Sequence, residues 1–133
     1  MKTKVILTAE DAKLIAEAAE QHARDNNWAV VVAVVDDGGH LLHLHRMDGA
    51  APISSDIAPG KARTAALGRR ESRIYEEVIK GGRTAFLSAP LESMLEGGVP
   101  VVHEGEVIGA VGVSGVKSEQ DAEIAKAGIA ALS

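Results

Sequence analysis

Apolar residues recur at Ala12, Ile15, Ala16, Ala19 and Ala23, the three- and four-residue spacing of a helix that buries one stripe. Thr8 stands where an N-cap belongs, and Asp11 holds the acid position of a capping box. Asn26-Asn27 closes the run, and Lys13, Glu17, Glu20 and Arg24 fall on the face expected to meet water. The period then changes. Ala29 to Val35 is an unbroken, largely β-branched apolar run, which predicts a strand buried on both faces. Asp36-Asp37-Gly38-Gly39 follows as a hairpin signal, because glycine accepts positive φ, and His40 to Arg46 is the expected partner strand.

Further along, Ser54 or Ser55 is expected to cap a second helix, with Asp56 near its positive end and Pro59 still in its first turn. Glu71 to Lys80 predicts a third helix, stopped by Gly81-Gly82. Arg83 to Glu96 carries no regular period and contains Pro90. Val99–His103 and Glu106–Ser114 read as a second hairpin across Glu104-Gly105. Ser118 is expected to cap a last helix, with Asp121 as its capping-box acid. Strands that come in pairs between helices predict a mixed α/β (α+β) fold: a mainly antiparallel sheet flanked by helices, in profilin-like α/β/α layers rather than a doubly wound sheet. No repeat or linker divides the 133 residues, so one domain over 1–133 is expected.

Composition alters this picture in one respect. Trp28, Tyr75 and Phe86 are the only aromatics, so the interior must be built from Val, Leu, Ile and Ala. Small side chains each bury little apolar area, and association into a homo-oligomer is the natural way to cover more. A net charge of −5, with no basic run, argues against nucleic acid as a partner. The absence of cysteine removes disulfides, thiolate metal sites and a cysteine nucleophile. No stretch approaches the roughly 20 apolar residues of a membrane span, and Met1 to Leu7 lacks the pattern of a signal peptide. A cytoplasmic protein is expected.

Several short motifs now stand in order: Val35-Asp36-Asp37-Gly38-Gly39-His40-Leu41-Leu42, Arg46-Met47-Asp48-Gly49-Ala50, Lys61-Ala62-Arg63-Thr64-Ala65, Gly97-Gly98-Val99-Pro100, Ile108 to Gly115, and Gln120-Asp121. Together they resemble the GlcG/HbpS family, which includes the C-terminal domain of PduO-type proteins. The resemblance spans nearly the whole chain. It implies a profilin-like fold, rings or higher oligomers, and haem as the cofactor of some members. The stretch from Ala85 to Glu96 departs from the family pattern: relatives are rich in proline and glycine there, whereas Leu91 to Glu96 is expected to form a helical turn.

Candidate chemistry is spread over the chain. His43 and His45, two apart on a strand, share a face, and His40 points to the other. Two imidazoles need a third ligand to hold a metal and none is suitably spaced, so the competing reading is a solvated or interface strand face. His22, His43, His45 and His103 are the candidates for a haem iron, and without a CxxCH motif any haem is held non-covalently. Arg46 to Ala50 ends a strand just before a helix N-terminus. There Arg46 is suited to clamp a carboxylate or propionate, aided by Ser54, Ser55 and helix amides, unless it only pairs with Asp48 to pin the loop. Lys61 either reaches a ligand acid group or is an exposed helix cation. Gly109, Gly112 and Gly115 mark close approach of a ligand, a helix or a neighbouring subunit. Ser114 lacks a nucleophile elbow.

The first reading is therefore a small-ligand binding protein, with haem or another tetrapyrrole in view and His40, Arg46, Met47, Asp48, Lys61, Thr64 and Ser114 as ligand-binding residues. The second is an enzyme acting on a small hydroxy- or oxo-acid, with Arg46 gripping the carboxylate and His40 or Lys61 moving the proton. The third is a structural oligomeric subunit.

Overall fold

The computed structural model describes residues 1–132. Helix α1 (Ala9–Asp25) begins at the capping box predicted for it: the Asp11 backbone N–H donates to the Thr8 hydroxyl at 3.1 Å, and the Asp11 carboxylate accepts the Thr8 N–H at 2.9 Å. Ala12, Ile15, Ala16, Ala19 and Ala23 are all buried, as the spacing requires. Strand β1 (Val31–Asp36) starts two residues later than the apolar run and turns through residues 37–39 into β2 (Leu41–Arg46). Helix α2 (Ser54–Gly68) and helix α3 (Arg73–Lys80) follow, then a 3-10 helix over Thr84–Ser88. Strands β3 (Gly98–His103) and β4 (Glu106–Ser114) form the second hairpin, and α4 (Ser118–Ala130) ends the fold.

The sheet is antiparallel throughout, in the order β2-β1-β4-β3. Val32 and Val34 of β1 pack with the buried residues of α1 and α4 on one face. Val31 and Ala33 pack with Ala58 of α2 on the other, and Val35 with its Ala62, Ala65 and Ala66. That is the α/β/α layering read from the paired strands, with β1 buried on both sides because it is central. The α2 layer is close. A Cβ on Gly112 would fall 2.1 Å from the Ala58 carbonyl, so glycine there is required by helix-on-strand packing rather than by a ligand.

Five local expectations are corrected. Neither Ser54 nor Ser55 caps α2: Ser54 is its first helical residue, behind a turn over Ala51, Pro52 and Ile53 that supplies the early carbonyl acceptors. Pro59 is the sixth helical residue and so lies beyond the first turn. Helix α3 starts at Arg73 instead of Glu71, because Ser72 is committed to β3, as described below. Ser118 is likewise inside α4 rather than capping it, and Asp121 faces the interior instead of closing a capping box with it. Leu91 to Glu96 forms no helical turn; its Glu92 and Leu95 carbonyls are taken by the Thr64 hydroxyl of α2 and the Ser72 hydroxyl before α3.

Candidate functional site

Three predicted ligand residues lie inside the fold. Lys61 is 4% exposed, and its Nζ donates to the Val113 carbonyl at 2.9 Å and to Asp121 Oδ2 at 3.0 Å. The reading of Lys61 as an exposed helix cation is thereby corrected. A Cβ on Gly97 would come within 2.8 Å of Nζ, and one on Gly98 within 2.2 Å of the Lys61 carbonyl. The two glycines thus leave the room in which the lysine arm runs from α2 to the start of α4. Asp121 Oδ1 accepts the Val116 N–H at 3.2 Å, so one carboxylate ties down both the lysine and the entry to α4. Burial holds the Asp121 carboxyl above the usual carboxylate range, against the opposing pull of Lys61 and the Val116 N–H.

Thr64, fully buried, donates to the Glu92 carbonyl at 2.5 Å. Ser114 donates to the Ser54 hydroxyl at 3.2 Å. No buried side-chain polar atom among the described residues lacks a partner. The polar groups of Lys61, Thr64 and Ser114 therefore hold α2, β4, α4 and the 91–96 segment together, and a ligand would have to displace those bonds to use them.

The Arg46–Gly49 part of the turn lies toward the surface, while Ala50 is buried with Val31, Ala33 and Ala58. Strand alternation divides its residues: His45 pairs with Val32 on the α1 face, while Arg46 pairs with Val31 on the α2 face. The Arg46 guanidinium donates to the Ala50 carbonyl at 3.3 Å and makes no ion pair with Asp48. The loop is pinned through a main-chain oxygen, not through the acid proposed for it. On the α1 side, His45 Nε2 lies 3.1 Å from Glu20 Oε1, and the same carboxylate takes the Arg24 guanidinium. Glu20 is drawn out of solvent by these two partners, which its place on the polar stripe of α1 did not indicate. Glu20, Arg24, His45 and the turn Arg46–Asp48 line an open cleft of about 400 Å³. Met47 packs from there onto the core.

The remaining histidines are dispersed. His22 Nε2 sits 2.7 Å from Glu123 Oε2, joining α1 to α4, with the Trp28 ring 6.2 Å away. His103 is exposed beside Glu104, His40 is exposed at the hairpin, and His43 is half-buried on β2. No three His, Cys, Asp or Glu residues among those described converge on a metal position. Arg46, His40 and Lys61, assigned together in the enzyme reading, do not meet: Lys61 is engaged with Asp121, and His40 and Arg46 are at opposite ends of β2. Sequence reasoning passed over Ser72, whose hydroxyl donates to the Leu95 carbonyl and accepts the Gly98 N–H at 2.8 Å. Its neighbours in sequence gave no signal; only its distance from Gly98 in space does.

The chain resembles known proteins over nearly its whole length. It is 61% identical to the protein GlcG of Escherichia coli strain K12 over 114 residues, 86% of this chain and 85% of that one. The Streptomyces reticuli HbpS double mutant superposes with a TM-score of 0.90 at 34% identity, covering all of this chain and 91% of that one. The PduOC:heme complex superposes with a TM-score of 0.84 at 32% identity, covering 96% and 95%. Residues 7–130 match the family described as haem degrading protein HbpS-like, and the chain belongs to that family.

Proposed function

We propose that this chain is a non-covalent small-ligand binding protein, with haem or a related tetrapyrrole as ligand, that works as a homo-oligomer in the cytoplasm. The observation carrying the reading is the likeness, across 96% of the chain, to a fold solved as a haem complex. The donor set agrees with it. His22, His43, His45 and His103 are all at least partly open to solvent, so an imidazole is available to an iron at the surface, and Arg46 offers its remaining N–H groups to a propionate. Bound haem would supply iron coordination chemistry, with a histidine of the chain as iron ligand and Arg46 on a propionate.

The packing of the chain supports the oligomeric part. The interior is filled by small side chains and satisfied polar pairs, and the surface depressions are open clefts. A tetrapyrrole needs most of its surface buried, which favours a site completed by a second copy. No helix among the described residues is long and apolar enough to cross a membrane.

Titrating haemin into the protein at micromolar concentration is expected to produce a saturable Soret band. Replacing His22, His43, His45 and His103 by alanine one at a time is expected to abolish or shift that band in one variant. Absence of any saturable band in the wild-type protein overturns the haem reading.

A further inference from the structure

A groove of about 300 Å³ lies between α3 and the irregular stretch that runs from the 3-10 helix to Leu95. Ile79, Leu87, Met94 and Leu95 make its lining almost wholly apolar, and Glu76 and Lys80 of α3 stand beside them. No histidine lines it, so it is separate from the iron candidates named above. Leu87 is 63% and Leu95 42% exposed, a concentration of open apolar surface that marks a binding site more often than a bare surface.

The walls are fixed from behind. The Tyr75 and Phe86 rings meet with centroids 5.2 Å apart, joining α3 to the 3-10 helix. A Cβ on Gly68 would fall 2.1 Å from the Tyr75 hydroxyl, so that ring is lodged against the end of α2. On the opposite wall, Thr64 and Ser72 hold the Glu92 and Leu95 carbonyls. Between them Ser93 has φ 53°, a left-handed conformation that a non-glycine residue keeps only where its surroundings impose it. A groove held in this way is formed before any ligand arrives, and Met94 supplies a side chain that adapts to what enters.

Charge selects the occupant. The Lys80 side chain is 74% exposed, and its ammonium stands 3.6 Å from Glu76, beyond hydrogen-bond length. The Glu76 side chain is only 18% exposed, so the group that reaches solvent beside the apolar lining is a cation. We infer that this groove binds a free medium-chain aliphatic carboxylate, with its tail along Ile79, Leu87, Met94 and Leu95 and its acid group on Lys80. The carboxylate gives Lys80 the charge-assisted hydrogen bond it lacks. The volume stands at the lower end of the roughly 300–1,000 Å³ of ligand pockets, which suits one alkyl chain and is too small for a tetrapyrrole. The site goes beyond the haem reading and does not depend on it.

Octanoate titrated into protein carrying ¹³C at its methionine methyl groups is expected to shift the Met94 resonance saturably and to leave Met47, at the other cleft, unmoved. Affinity is expected to rise about three- to fourfold for each methylene from hexanoate through heptanoate to octanoate. Lys80→Gln is expected to weaken octanoate about two- to fivefold, the range of an exposed ion pair, and to leave octanol unaffected. Leu87→Glu is expected to abolish binding of both, with an unchanged circular dichroism spectrum because Leu87 is exposed. A Met94 resonance that octanoate does not move overturns the site. So does an assembly that falls apart on Leu87→Glu, since a second copy then covers the groove. Octanoate binding indifferent to Lys80→Gln overturns the carboxylate, and competition between haemin and octanoate overturns the separation of the two sites.

Discussion

A lysine 4% exposed has given up most of its hydration and is held only by what replaces the water. For Lys61 that is one carbonyl and one carboxylate, and Asp121 depends on it in turn. Removing one member strands a buried charge, which typically costs about 3–5 kcal/mol. Lys61→Met and Asp121→Asn are each expected to lower the urea midpoint by that order, and the double variant to lose less than their sum. The pH dependence has a definite sign. Asp121 carries a raised carboxyl in the folded state, so between its ordinary value and the raised one the native protein holds a proton that the unfolded chain has released. Stability from this group therefore falls as pH rises through that window. Lys61→Met deepens the effect, and its unfolding free energy is expected to be closer to wild type at pH 5 than at pH 8. Gly98→Ala is expected to be at least as damaging as a typical overpacked core variant, about 1–3 kcal/mol, since its Cβ meets main chain that cannot move aside.

At the scale of elements, short-range chemistry decided most boundaries. The Thr8–Asp11 capping box is local in sequence and formed as read; Thr8→Ala is expected to cost about 1 kcal/mol, measured by thermal or urea unfolding. Where boundaries moved, a distant partner moved them. Ser72 is withdrawn from α3 by Gly98, twenty-six residues on, and Asp121 is drawn inward by Lys61. Leu91 to Glu96 has helix-compatible residues but loses its carbonyls to Thr64 and Ser72. Thr64→Val keeps the shape and removes the donor. It is expected to loosen that segment, seen as faster amide exchange over residues 91–96 with little change in the sheet.

For the whole molecule, the layers explain both the composition and the exposed leucines of β2. Two helices cover one face of the sheet and α2 covers the inner strands of the other, so Leu41 and Leu44 are left exposed. If the homo-oligomer proposed above forms, the melting temperature of the wild-type protein rises with protein concentration. The order of helices and hairpins, the stripe of α1, the buried central strand and the small-residue interior were all determined by sequence alone, because period, glycine turns and capping act over a few residues. The same local pattern marked Arg46–Ala50 as a turn between a strand end and a helix N-terminus. It did not show that Lys61, Thr64 and Ser114 are bonded inside, that Glu20 orients His45, or that Arg46 and His45 part to opposite faces. Those depend on which residues meet across β4, α2 and α4 after folding, and a buried ion pair has the same local spelling as an exposed charge.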